Sequence, residues 1–386
     1  MPSSGHLFLA SVLLSALAAG ALRVVISWIA LQGYGSSGLA IAMVVVSVGQ
    51  FVGAFSSGTV TDRLGAKSAA LLTCTLAALC VAALASVDAG LVAIAACTFV
   101  GYASFAVHDV AMRTLIPSLV VGRDIKRLTS SFISILQVGY VIAPAAIGLV
   151  LEWAGIGISA AAVAVSALIA GALIWCQPGQ TPGERSASET EPLAGGLEYL
   201  RSNKWLWIGF GAAGIINFAI VPLNLVTAPA FVTEQDYGPV GLGYLYSALA
   251  VGFVGGSFLA RYLDSESHAW DLIFASVAAP CLLYALFYLY PRYPTLLLIA
   301  LAAGFCLSLF EVLWTSSVQS RAPREVMGRL LGFGSWTAFA ARSCGTFLAG
   351  VLAAMYTPAS TSLLLAAVAS VLLIALFIYQ RHAVSN

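Results

Sequence analysis

Gly58-Thr59-Val60-Thr61-Asp62-Arg63-Leu64-Gly65-Ala66-Lys67 separates two apolar runs, 39–57 and 68–87, and holds the only Asp, Glu, Lys or Arg between positions 39 and 86. Each run approaches the roughly 20 residues that an α-helix needs to cross a hydrocarbon layer of about 30 Å. Two such runs joined by a short turn bearing glycine and charge read as a pair of antiparallel membrane-spanning helices. Working outward, the same punctuation by glycine, proline and charge cuts the 386-residue chain into twelve pieces. The predicted spans are 7–32, 39–60, 68–87, 90–113, 129–152 and 156–176, then 205–232, 241–262, 269–290, 295–318, 329–354 and 360–380. A β-barrel is excluded, because these runs are continuously apolar and far longer than the alternating strands of roughly 10 residues that barrels use.

Composition agrees. The chain is 60% apolar and 9% charged, against about 25% charged residues in a soluble domain, and so few polar groups cannot clothe a water-exposed surface. A net charge of +1 excludes nucleic-acid binding, which needs a strongly basic face. Cysteines 74, 80, 97, 176, 281, 306 and 344 form neither a CxxC nor a Cys/His pattern and read as small core residues. His6, His108, His268 and His382 are too scattered to supply a metal site or a hydrolytic constellation. No metal, no cofactor and no enzymatic activity are therefore expected. The first segment has no basic residue before its long apolar run and reads as a retained span, not a cleaved signal.

Lys and Arg set the expected orientation, since short loops rich in them stay in the cytoplasm. Arg63, Lys67, Arg113, Arg123, Lys126, Arg127, Arg185, Arg201, Lys204, Arg261, Arg321, Arg324, Arg329 and Arg381 all fall on one side. Only Arg292 falls in an opposite loop, while Arg23 and Arg342 lie within spans. With an even number of spans, both termini are expected in the cytoplasm. The longest polar interval, 177–204, is rich in Pro, Glu, Ser and Thr and reads as a flexible linker, whose last turn from Gly196 suits a short amphipathic helix on the membrane surface. It divides the chain into an N-terminal six-helix bundle, 1–176, and a C-terminal one, 205–386. The halves echo one another: Gly58-x3-Asp62-Arg63 against Gly256-x3-Ala260-Arg261, and Pro117-x4-Gly122-Arg123 against Pro323-x4-Gly328-Arg329. A repeat of six helices is the trace of a duplicated transporter.

The 58–67 stretch resembles the G-x-x-x-D-R-x-G-R-K loop signature of the major facilitator superfamily. Gly58, Asp62, Arg63, Gly65 and Lys67 match, and Ala66 stands where the family has a basic residue. The resemblance implies a cytoplasmic gate, to which Arg113 after the fourth span contributes; Gly58 is expected to allow close helix approach. The fifth span carries Gly139-x3-Ala143-Pro144-x2-Ile147-Gly148, similar to the antiporter signature G-x-x-x-G-P-x-x-G-G of exporters in that superfamily, with Ala143 and Ile147 replacing glycines. Small residues and a proline also suit a bent helix packed tightly on a neighbour. Met112-Arg113-x3-Pro117, Gly196-Leu197-Glu198-Tyr199-Leu200-Arg201-Ser202-Asn203 and Val318-Gln319-x3-Pro323-x4-Gly328-Arg329 resemble the macrolide-efflux and enterobactin-exporter branch of the drug:proton antiporters. That branch exports hydrophobic drugs or siderophores.

Charged residues at membrane depth cost about 2.5–3.5 kcal/mol each on insertion scales and need a partner. They are Arg23, Asp109, Glu311 and Arg342. If the superfamily fold holds, spans 1, 4, 7 and 10 line a central cavity, which would receive Arg23, Asp109 and Glu311, with Arg342 approaching from span 11. Arginine does not give up its proton, so Arg23 and Arg342 suit an anionic substrate group or a carboxylate partner. Glu311 suits proton coupling, with Asp109 as a second candidate that also has Arg113 at the i+4 ion-pair spacing. His108 reads first as a packing residue. Gln137, Asn217, Asn224 and Trp314 are further candidates for substrate contact, Pro222 marks a bend between the two asparagines, and Trp314 serves equally as packing.

The expectation is an all-α, twelve-helix transporter of the inner (cytoplasmic) membrane, a monomer in lipid. It would exchange a small organic solute for protons, and the two arginines point to an anionic solute such as a carboxylate siderophore. A broad multidrug exporter with structural arginines, a passive facilitator and a sensor are the alternatives.

Overall fold

The computed structural model describes residues 3–86, 90–119, 123–177, 199–260, 262–263, 269–322 and 324–385. The interior of the predicted linker, 178–198, together with Arg261 and Pro323, lies outside them. Ser3–Leu64 and Arg123–Trp175 are helical stretches of 62 and 53 residues, each made of two helices that meet at a kink. As single helices at 1.5 Å per residue they would be about 93 and 80 Å long, far more than one crossing requires. Each contains one break: Gly35 has φ 62° and ψ −158°, and Gly155 has φ 75° and ψ −177°. Both conformations lie in the half of φ space that glycine enters freely because it has no Cβ. Cutting there gives α1 (3–34), α2 (36–64), α5 (123–154) and α6 (156–175). Between and after them come α3 (Ala66–Ser86), α4 (Leu91–Leu119), α7 (Lys204–Glu234), α8 (Gly238–Ala260), α9 (Ala269–Leu289), α10 (Tyr293–Arg321), α11 (Arg324–Met355) and α12 (Pro358–Ser385). The twelve predicted spans are these twelve helices, and the described residues form no strand.

Contacts group the chain into two compact units, Met1–Ala187 with Asp236–Ser247, and Ser188–Gln235 with Ala248–Asn386. The first part of α8 thus belongs with α1–α6.

Apolar attraction between helices is weak in lipid, so close backbone approach and van der Waals contact must hold them. The two units use the same device at corresponding places. In the first, a methyl group added at Gly49 of α2 would stand 2.7 Å from the Phe99 carbonyl oxygen of α4, and one at Gly53 would meet the Ala103 carbonyl still more closely. In the second, Gly252 and Gly256 of α8 press on the Leu301 and Phe305 carbonyls of α10, and Gly304 of α10 presses back on Leu249. Both pairs repeat the four-residue spacing that lines up successive turns of one helix face. Gly58 lies outside this stripe: nothing comes within 4 Å of the position its Cβ would take. The close-approach role expected for it falls to Gly49 and Gly53 instead.

The residues of the fifth-span motif are buried between neighbours. Gly139 of α5 sits against Ala16 of α1, where a methyl group would come to 2.5 Å, and Gly20 of α1 faces Ala143 at 3.0 Å. Toward α8, a methyl group at Gly148 would stand 2.7 Å from the Pro239 carbonyl oxygen, and one at Gly243 would meet the Pro144 carbonyl. Pro144 has no N–H to offer Tyr140, and a side chain bonds into the next turn. The Ser247 hydroxyl of α8 donates to the Val141 carbonyl at 2.6 Å and accepts from the Ala145 N–H at 3.2 Å. It engages both groups of the Ala145-to-Val141 ladder position. Insertion of a side chain into the ladder is a recognised cause of helix bending.

Candidate functional site

The first unit builds a site around Arg23. It lies on α1, one turn beyond Gly20, and is partly exposed. The guanidinium carbon stands 5.9 Å from the ring centre of Tyr246 on α8, close enough for a cation–π contact. Tyr246 is held by a 2.9 Å hydrogen bond between its hydroxyl and that of Ser27, one turn further along α1. The Tyr102 hydroxyl of α4 lies against the guanidinium, and Tyr140 of α5 is near enough to act on its charge. Tyr102 is 3% exposed, and its hydroxyl, beside the guanidinium, has no hydrogen-bond partner among the described residues. Tyr140 is 39% exposed, and its ring edge would lie 3.6 Å from a methyl group added at Gly20. Among the described residues no carboxylate comes within ion-pairing distance of Arg23.

An arginine at membrane depth costs about 2.5–3.5 kcal/mol on insertion scales, and a desolvated cation–π contact returns about 2 kcal/mol or more. The tyrosines thus offset much of the cost without neutralising the charge, and an anion supplied from outside would pair with it directly.

Elsewhere in this unit, Asp109 and Arg113 of α4 pair at 2.9 Å with side chains 42% and 51% exposed. Arg113 also rests 5.2 Å over the Phe132 ring of α5. The i+4 spacing read from the sequence is therefore an ion pair. Asp62 and Arg63 at the end of α2 are exposed. Gly65 turns the chain with φ 80°. Lys67 of α3 donates to the Gln177 carbonyl just past α6 and lies 5.9 Å over the Trp175 ring. A cation at the last carbonyls of a helix is favourably placed, so this motif lysine ties the end of α6 to the start of α3. His108 is buried and packs on α3, its Nδ1 3.3 Å from the Thr73 hydroxyl. Because that hydroxyl already donates to backbone carbonyls, Nδ1 is assigned as the protonated nitrogen. Gln137 is half-buried on α5.

The second unit gathers its charges around α7. Residues 216–220 and 223–227 of α7 are π-helical, a widening that often marks functional positions. Each widened stretch carries an asparagine that bonds backward along its own helix, Asn217 to the Ala213 carbonyl at 2.9 Å and Asn224 to the Ile220 carbonyl at 3.0 Å. The amide oxygens face outward to other helices. Asn217 Oδ1 accepts from Arg342 Nε at 3.1 Å and Nη2 at 2.8 Å, bringing together two residues singled out from the sequence, and Asn224 Oδ1 accepts from the Tyr284 hydroxyl at 2.6 Å. Glu311 of α10 is accessible and feels the Arg342 charge. Trp314 is 8% exposed and enclosed edge-on by Trp205 at 5.8 Å and Phe210 at 5.3 Å, with Trp270 at 6.5 Å. That placement is the interior of an aromatic cluster.

Sequence reasoning missed Tyr102, Tyr140, Tyr246, Ser247 and Tyr284. Tyrosine and serine within apolar runs carry no local signal; only the rotation of each helix makes them neighbours of Arg23, Asn224 or the Pro144 turn.

Twelve helices, internally repeated packing and, among the described residues, a cation at membrane depth without a fixed anion are the architecture of a membrane transporter. A profile of the Major Facilitator Superfamily matches residues 8–346. The chain belongs to that superfamily. Among curated relatives, the multidrug efflux pump Tap of Mycolicibacterium fortuitum is 26% identical over 368 residues, covering 89% of this chain and 88% of the relative. The Tap pump of Mycobacterium tuberculosis strain H37Rv is 25% identical over 376 residues, covering 90% and 86%. The enterobactin exporter EntS of Shigella flexneri is 26% identical over 325 residues, covering 81% and 75%. These relatives agree with the branch resemblance seen in the sequence. Of solved structures, a point mutant of the nucleoside transporter NupG superposes with a TM-score of 0.82 at 15% identity over 97% of this chain and 99% of the other. At that identity the likeness concerns the fold.

Proposed function

We propose that the protein exports a small organic anion in exchange for protons. The observation that carries this reading is Arg23, a permanent cation in a cage of tyrosines without a carboxylate among the described residues. Arginine cannot carry the transported proton, so its place is to hold charge on the solute. Glu311 is the proton-coupling group: its carboxyl is accessible, and the Arg342 charge that acts on it is steadied by Asn217. Asp109 is already engaged by Arg113 and works with Asp62, Arg63 and Lys67 at the gate. Export rather than uptake rests on the Gly139, Pro144 and Gly148 motif, together with relatives named as an efflux pump and an exporter.

The chain acts as a monomer in the lipid of a bacterial inner membrane, with both termini in the cytoplasm as the Lys and Arg distribution requires. The transport cycle is alternating access, with the site opening to one side of the membrane at a time. The test is transport by reconstituted protein under an imposed pH gradient. Arg23→Ala is expected to lose solute transport, and Glu311→Gln is expected to lose its dependence on the gradient. Unchanged rates and unchanged proton dependence in both variants contradict the assignment.

A second reading, broad multidrug export, is favoured by the name shared by the Tap relatives. A deletion strain sensitive to many chemically unrelated drugs supports it; a strain that only fails to release one class of anion, such as a carboxylate siderophore, supports the first.

A further inference from the structure

We infer that the Arg23 site selects a planar aromatic anion, a ring bearing a carboxylate or phenolate group, over an aliphatic anion of equal charge. This rests on the anion-site reading above and narrows it. Three tyrosines from three helices, α4, α5 and α8, converge on one guanidinium from α1, and their roles differ. Tyr246 is committed, its ring over the cation and its hydroxyl bonded to Ser27. Tyr102 is buried, and its hydroxyl, which lies beside the guanidinium, has no hydrogen-bond partner among the described residues. A buried hydroxyl left in that condition is costly, and it is placed to donate to an anion that reaches Arg23. Tyr140 remains accessible, with its ring beside the side-chain-free surface of Gly20, one turn before Arg23.

An aliphatic carboxylate at Arg23 would receive the charge and the Tyr102 donor. An aromatic one would in addition stack on the open Tyr140 ring. Stacked or edge-on aromatic pairs add a roughly twofold to tenfold gain in affinity beyond that from buried area.

Benzoate and cyclohexanecarboxylate test this, since they share the carboxylate and the number of carbons and differ in flatness and π-character. Binding of each to the purified full-length protein is measured by saturation-transfer NMR titration. The expected result is a preference for benzoate of about fivefold to tenfold in the unaltered protein. Tyr140→Phe is expected to keep that preference, Tyr140→Leu to reduce it to about twofold or less while still binding cyclohexanecarboxylate, and Arg23→Gln to lose both probes. Equal binding of the two probes, or a preference that survives in Tyr140→Leu, overturns the aromatic inference and leaves the anion site standing. Failure of both probes to bind the unaltered protein overturns the anion site and the inference together.

Discussion

Replacing Ser247 tests whether a side chain of α8 holds the Val141–Ala145 turn of α5 open. The Ser247 hydroxyl makes two hydrogen bonds inside the Val141–Ala145 turn, at 2.6 and 3.2 Å. In Ser247→Ala both are lost, but the Ala145 N–H and the Val141 carbonyl belong to adjacent turns of one helix and can close on each other. Two bonds are exchanged for one, at a net cost of about 0.5–1.5 kcal/mol. In Ser247→Val the added methyl groups occupy the gap and offer no hydrogen bond. Both backbone groups then stay apart and unsatisfied, at about 1–3 kcal/mol each, so the total is roughly 2–4 kcal/mol after partial relaxation. The assay is amide hydrogen exchange of the Ala145 peptide in lipid nanodiscs, which reports local opening free energy. At a factor of ten per 1.4 kcal/mol, Ser247→Val is expected to speed exchange by about thirtyfold or more, and Ser247→Ala by no more than about tenfold. Exchange in Ser247→Val within about threefold of the unaltered protein would falsify the claim that this hydroxyl props the turn open.

The remaining predictions concern packing and the second unit. Gly53→Leu and Gly256→Leu place side chains into the carbonyls of Ala103 and Phe305, and both are expected to abolish the monodisperse peak in size-exclusion chromatography. Gly58→Leu, with nothing within 4 Å of its Cβ position, is expected to keep it. Asn217→Ala removes both bonds to Arg342 and the bond to Ala213, so its thermal unfolding in detergent is expected to reflect a loss of about 2–4 kcal/mol. Asn217→Asp, which retains an acceptor for the guanidinium, is expected to lose less, and equal losses would argue that Arg342 is held by other partners.

The apolar runs and their punctuation made the twelve helices legible because the bilayer imposes one length on every span. Of the turns that carry no charge, those at Gly35 and Gly155 were marked by glycine, and the one between α11 and α12 by Pro358. The Gly139 and Pro144 stretch was legible as a packing motif, but its partner was not. That partner, the first part of α8, lies about a hundred positions away in the chain, and the Ser247 hydroxyl that enters the turn leaves no local trace. The site was half legible for the same reason. A charge inside an apolar run announces itself, so Arg23, Glu311 and Arg342 stood out. Tyr102, Tyr140 and Tyr246 did not, since an aromatic residue in such a run is ordinary until the helices are rotated into place. Asn217 was recognised as a hydrogen-bonding group, yet its pairing with Arg342, 125 positions away, and the π-helical turns around it have no signature in a 3.6-residue period.

The central claim is that the fixed charge of Arg23 recognises negative charge on the transported solute. The most direct measurement compares pH-gradient-driven transport of an anionic solute with that of its uncharged methyl ester, in reconstituted unaltered protein and in Arg23→Gln. The account predicts that the substitution cuts transport of the anion by about tenfold or more and changes that of the ester by less than about twofold, as expected when a charge-assisted contact worth about 1.5–3 kcal/mol is removed. Equal losses for the two solutes, or no loss for the anion, would contradict it.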